Sequence, residues 1–166
     1  MKTRFLISLG MVAVLAVAGI YSIKQANAAS SDNTTADATC TVIASISITK
    51  TQDLQFGNAS QSDVAKTVDP AADTTNSAAF TVAGQASTAY DITLPADATI
   101  TMITGAGGTA DEQIDVDSFA SSPSGSGNTG AGGSQTLYVG ATRAAILATQ
   151  TAGSYTASFT VTVAYQ

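Results

Sequence analysis

The chain has 166 residues, with twelve acidic and six basic side chains, a formal net charge of −6, one cysteine and no histidine. A lone cysteine without histidine provides no ligand set for a structural zinc site, and a histidine-based triad or general base is excluded. So few cations make nucleic acid a poor partner.

The first segment reads as an export signal. Lys2 and Arg4 precede an apolar run from Phe5 to Ile23, and Ala26-Asn27-Ala28 then offers an A-x-A cleavage site. This pattern predicts a cleaved signal peptide over 1–28 and a mature chain from Ala29. The run is long enough to graze a bilayer span, but the small-residue site directly after it favours cleavage, which leaves no membrane segment. Residues 29–166 have the length of a single domain, with a polar extension at 29–38. Export implies an oxidising compartment. Cys40 has no partner within the chain, so an intramolecular disulfide is excluded and a buried free thiol is expected.

Strand signals then recur every 8–12 residues between Gly, Pro, Asn, Asp and Ser, which predicts an all-β sandwich or barrel. Apolar residues take the even positions over 36–48: Ala36, Ala38, Cys40, Val42, Ala44, Ile46 and Ile48. Leu54–Phe56 is a short strand ended by Gly57-Asn58, and Val64–Val68 is another ended by Asp69-Pro70. Ala78–Ala83, Ala89–Leu94 and Thr99–Ile103 follow, the last before the turn Gly105-Ala106-Gly107-Gly108. Ile114–Phe119 alternates with no clear inward face. Residues 121–134, SSPSGSGNTGAGGS, read as a flexible surface loop. Thr136–Ala141 is a strand, and Arg143–Ala148 lacks strict alternation and reads as a loop.

The clearest element is the last. After Gly153 the odd positions are Tyr155, Ala157, Phe159, Val161, Val163 and Tyr165, while the even ones are almost all hydroxyl residues. This period-2 pattern predicts one long, half-apolar strand.

That terminal pattern resembles the C-terminal signature of chaperone–usher pilin subunits, on Gly153, Phe159, Val161, Val163 and Tyr165. The wider chain resembles the DUF4402 family of exported bacterial β domains, on TCTVIASISITKTQDLQFGN (39–58), ASTAYDITLP (86–95), QTLYVGAT (135–142) and AGSYTASFTVTVAY (152–165). The pilin resemblance implies an immunoglobulin-like β-sandwich, incomplete and completed by a donated strand. It implies self-association into a fibre on the surface of a Gram-negative bacterium, after passage through the periplasm. It also implies a periplasmic chaperone and an outer-membrane usher as partners. The final strand would be the assembly strand, with Gly153, Tyr155, Ala157, Phe159, Val161, Val163 and Tyr165. The donor segment would carry Ala36, Ala38, Cys40 and Val42. These knobs are small, and at ~0.8 kcal/mol per buried CH₂ they anchor weakly. The paired cysteines that many pilins have are also absent. Either the donor role falls partly on residues 40–48, or the domain closes on itself.

Nothing in the sequence requires chemistry. Asp111, Glu112, Asp115 and Asp117 form the densest acidic cluster, but their spacing matches no EF-hand loop, and a solvated acidic strand is expected. Gly105–Gly108 lacks a following Lys, and no serine sits in a G-x-S-x-G elbow. Tyr90, Tyr138, Tyr155 and Tyr165 suit cross-strand packing. The sequence therefore predicts a structural, non-enzymatic protein without cofactor or metal, the leading reading being a pilus or fimbria-like subunit. The second reading is a self-contained secreted or surface-coat β domain that binds carbohydrate.

Overall fold

The computed structural model describes residues 32–166, so the expected signal peptide and its cleavage site lie outside the described residues. The chain divides into two units at Thr41/Val42. In the first, residues 32–41 carry no helix or strand and are exposed. Cys40 is among them, so the thiol expected to be buried is exposed.

The second unit, Val42–Gln166, holds nine strands and one short 3-10 turn, with no α-helix among the described residues. In chain order they are β1 (Ser47–Gln52), β2 (Lys66–Thr67), β3 (Ala78–Ala83), β4 (Ala89–Thr93) and β5 (Ile100–Ile103). After the 3-10 turn (Ala110–Glu112) come β6 (Gln113–Ser122), β7 (Ser126–Asn128), β8 (Ser134–Arg143) and β9 (Thr162–Tyr165). One sheet has the order β1-β3-β8-β6-β5, with β2 also on β8, and the other has the order β7-β4-β9. Every pairing is antiparallel. Val82, Leu137 and Val139 of the first sheet share one buried cluster with Tyr90 and Ile92 of the second. The two sheets thus face each other across a common core, a β-sandwich.

Period-2 patterning accounts for most of this. On β8, Leu137, Val139 and Ala141 point inward and are fully buried, while Thr136, Tyr138 and Thr142 face the other way. Each such Val or Leu contributes roughly 1.5–3 kcal/mol of burial free energy. A second cluster gathers Phe56, Val68, Val116 and Ala141 at one end of the core.

β6 resolves the ambiguous facing of Ile114–Phe119. Ile114 and Val116 point inward, and Ser121 is buried five residues on, in the opposite phase, with Phe119 packed against the core. The phase changes because the register with β8 shifts between Asp117 and Ala120, and Ser118 sits at φ +54°. This is a β-bulge, which inserts a residue and re-aims the side chains after it.

Four segments differ here from expectation. The alternation over 36–48 is no single strand: the ladder begins only at Ser47, and Val42 is 90 % exposed. Val64–Val68 contributes only the two residues of β2, and Leu54–Phe56 joins no ladder although Phe56 is buried. Residues 121–134 are not a free loop. They contain the end of β6, all of β7, which pairs with β4, and the start of β8. The glycine of β7 is there for space. A Cβ on Gly127 would collide with Tyr90 Oη and Gln135 Oε1, which are hydrogen-bonded to each other at 2.7 Å.

Candidate functional site: the terminal segment and an adjoining cleft

The alternation of the last residues survives in the fold, but the long ladder does not. Tyr155, Phe159, Val161, Val163 and Tyr165 are half-buried, and Thr156, Ser158, Thr160, Thr162 and Ala164 are exposed. Ala157 departs from its phase and is exposed. Backbone pairing is confined to two places. Residues 162–165 pair with β4, with Tyr90 opposite Tyr165 and Thr93 opposite Thr162. Thr156 and Ile103 of β5 exchange both backbone hydrogen bonds, at 3.0 and 3.1 Å. The segment therefore leaves the edge of the first sheet and joins the second. Ala157–Val161, between the two attachments, belong to no ladder.

Side chains hold that unladdered stretch in place. Phe159 and Val161 pack against the main core cluster. The Phe159 ring lies 5.1 Å from that of Phe119, tilted by 49°, in the range where aromatic pairs attract beyond simple burial. At one end, Gly153 makes the bend into the segment, and a Cβ there would stand 2.6 Å from Thr104 Oγ1. At the other end, Tyr165 Oη donates to the Ala44 carbonyl at 2.9 Å and accepts from the Gln85 amide at 2.6 Å. That hydroxyl ties the residues before β1 to the β3–β4 turn.

The candidate donor residues stand apart from any ladder. Ala36, Ala38 and Cys40 are exposed within 32–41, and Val42 is exposed at the start of the larger unit. Ala44 of this alternation is tied to the terminal strand, its carbonyl accepting from Tyr165 Oη.

Beside the terminal segment lies a cleft of about 710 Å³. Leu54–Ala59 and Gln61 line one wall and Gln150–Tyr155 the other. Met102, Ile114 and Ile146 contribute its apolar floor, together with Arg143. Buried Gln150 braces the second wall: its Nε2 donates to the Asp111 and Gln113 carbonyls and to Tyr155 Oη. Tyr155 Oη in turn lies 2.8 Å from the Asp111 carbonyl. Sequence reading missed Arg143 as a site residue because its stretch looked like a loop. The available signal was its phase, since it follows Leu137, Val139 and Ala141 on the odd positions. Arg143 is the last residue of β8 and is 5 % exposed.

The acidic cluster does not converge. Asp111 accepts from Thr149 Oγ1, Glu112 from the Gly108 amide, Asp115 from Thr101 Oγ1 and Asp117 from the Ala98 amide. Among the described residues no group of His, Cys, Asp and Glu is arranged to hold a metal ion. Burial raises the Tyr90 hydroxyl above the ordinary tyrosine pKa, as expected for a group whose charged form would lose its solvent.

Residues 46–165 match the family described as a domain of unknown function, DUF4402. The chain belongs to that family. No curated protein and no solved structure matches it significantly.

Proposed function

We propose that this protein is an exported structural subunit of a surface fibre, assembled by β-strand donation between copies. The observation that carries this reading is Ala157–Val161, where Phe159 and Val161 pack on the core while the backbone lies outside every ladder. A free backbone edge backed by packed side chains is the acceptor half of strand addition. A strand added along five residues makes about four to six new backbone bonds, because each residue that faces it offers both its N–H and its C=O, each bond contributing ~0.5–1.5 kcal/mol net. The donor in this reading is the exposed stretch with Ala36, Ala38, Cys40 and Val42, from a second copy. Its exposure and its lack of a ladder suit a segment that pairs between molecules. The role is structural rather than catalytic. The route is export through the periplasm to the cell surface, with a periplasmic chaperone and an outer-membrane usher as assembly partners.

The test is size-exclusion chromatography with light scattering on Ala29–Gln166 purified from the periplasm. Heat-stable polymers, or a co-purifying chaperone, are expected. A stable monomer overturns the reading. A chain lacking residues 29–42 that still polymerises like the parent overturns the assignment of the donor.

A further inference from the structure

Arg143 occupies a position that chains seldom give to a cation. The three preceding inward positions of β8 are Leu137, Val139 and Ala141, each at most 1 % exposed, and Arg143 continues that stripe at 5 % exposure. A buried guanidinium is costly unless a carboxylate or another anion pairs with it and its N–H groups find acceptors. Here the first condition is not met and the second is met only in part. Nη1 donates to the Ala144 carbonyl at 2.8 Å and Nη2 to the Val64 carbonyl at 3.2 Å, while Nε is buried without a partner. All twelve carboxylate side chains of the sequence lie among residues 32–166. The ion pair among the described residues joins Lys50 to Asp53, so no carboxylate stands within 4.0 Å of Arg143.

The unpaired charge sits where a ligand has room. Arg143 lines the 710 Å³ cleft, a volume typical of small-ligand sites. A second cation without a carboxylate partner borders the same wall: Lys66 Nζ donates to the Phe56 carbonyl at 2.8 Å. Of the three cations of residues 32–166, Arg143 lines the cleft and Lys66 is hydrogen-bonded to Phe56 of its lining, in a unit rich in acids.

We infer that this cleft is a carboxylate-binding site anchored by Arg143. One buried guanidinium matches the single charge and planar fork of a carboxylate, and Lys66 adds a point charge at the rim. Two sources supply that chemistry. One is a free carboxylate-bearing molecule. The other is Asp32 or Asp37 in the exposed stretch of a second copy. The inference rests on Arg143 and the cleft, and it stands or falls apart from strand donation.

The experiment is an NMR titration of Ala29–Gln166 that follows the Arg143 Nε–H resonance. The probes are sodium acetate, glucuronate with glucose as its neutral control, and a synthetic peptide of residues 29–42. The expected result is a saturable shift of that resonance with acetate and glucuronate but not with glucose, or with the peptide. A peptide effect that vanishes when both Asp32 and Asp37 are Asn assigns the site to a second copy, and an acetate or glucuronate effect assigns it to a free ligand. Arg143→Gln should weaken the binding at least tenfold. Should that variant fail to fold, the wild-type resonance alone decides. A resonance unmoved by every probe overturns the inference, as does equal affinity in a folded Arg143→Gln chain.

Discussion

Replacing Phe159 with Ala asks whether side chains rather than backbone pairing hold Ala157–Val161 on the sandwich. Truncating a fully buried Phe costs ~3–5 kcal/mol. Phe159 is half-buried, so about half of that applies, ~1.5–2.5 kcal/mol on the same scale. The lost ring pair with Phe119, at 5.1 Å, adds ~0.5–1.5 kcal/mol. The expected loss is therefore roughly 2–4 kcal/mol, a large share of the ~5–15 kcal/mol that stabilises a typical domain. Urea unfolding of residues 29–166 measures it. A double-mutant cycle with Phe119→Ala should return a coupling of ~0.5–1.5 kcal/mol. Ser158→Ala and Thr160→Ala, on the exposed face, should stay within ~0.5 kcal/mol of the parent. The reasoning fails if Phe159→Ala costs less than about 0.5 kcal/mol, or if the two hydroxyl variants cost as much as it does.

Leu137→Ala empties a fully buried position at the centre of β8 and should cost ~2–5 kcal/mol in urea unfolding; Val42→Ser, at a 90 % exposed site, should cost under ~0.5 kcal/mol. Tyr165→Phe removes the bonds to Ala44 and Gln85 and should cost about 1–2 kcal/mol. It should also speed hydrogen exchange at the Gln85 amide, and an unchanged rate there would contradict that hydroxyl's bridging role. Burial raises the folded-state pKa of Tyr90, so the folded protein keeps that proton after the unfolded chain begins to lose it. The associated stability is complete below the ordinary tyrosine value of about 10 and is lost as pH rises through the folded-state value. Tyr90→Phe should flatten the alkaline fall in stability, and an identical fall in the variant would refute this.

The elements best read from sequence are those bounded by turn chemistry on both sides. Ala78–Ala83 was bounded as found, and the next strand ends one residue earlier than expected, at Thr93, ahead of Pro95. Alternation reports which face a residue takes, not what pairs with its backbone. The inward phase of Phe159, Val161, Val163 and Tyr165 was therefore legible, and the gap in the ladder at Ala157–Val161 was not. The same limit applies to Ala36–Val42, whose even-position pattern forms no strand within the chain. Composition misled at 121–134. Glycine there serves close approach at Gly127 and positive φ at Gly125, Gly130 and Gly133 rather than freedom of motion. Arg143 was hidden for another reason: a charged residue in an inward phase looks like the end of a strand until its burial is known.

The positions of Arg143 and Lys66 also make the electric field of the molecule uneven. Residues 32–166 carry three cationic and twelve acidic side chains, a balance of −9; one of those cations lines the cleft and a second is bonded to Phe56 of its lining. Like-charged copies repel in most mutual orientations, and repel least when an acidic stretch of one faces the cleft of the other. Dissolved electrolyte cuts the reach of both effects to about 10 Å at 0.1 M. It relieves the general repulsion and dulls the local attraction in the same step. If copies meet through this cleft, their contact should peak at an intermediate ionic strength and decline on either side of it.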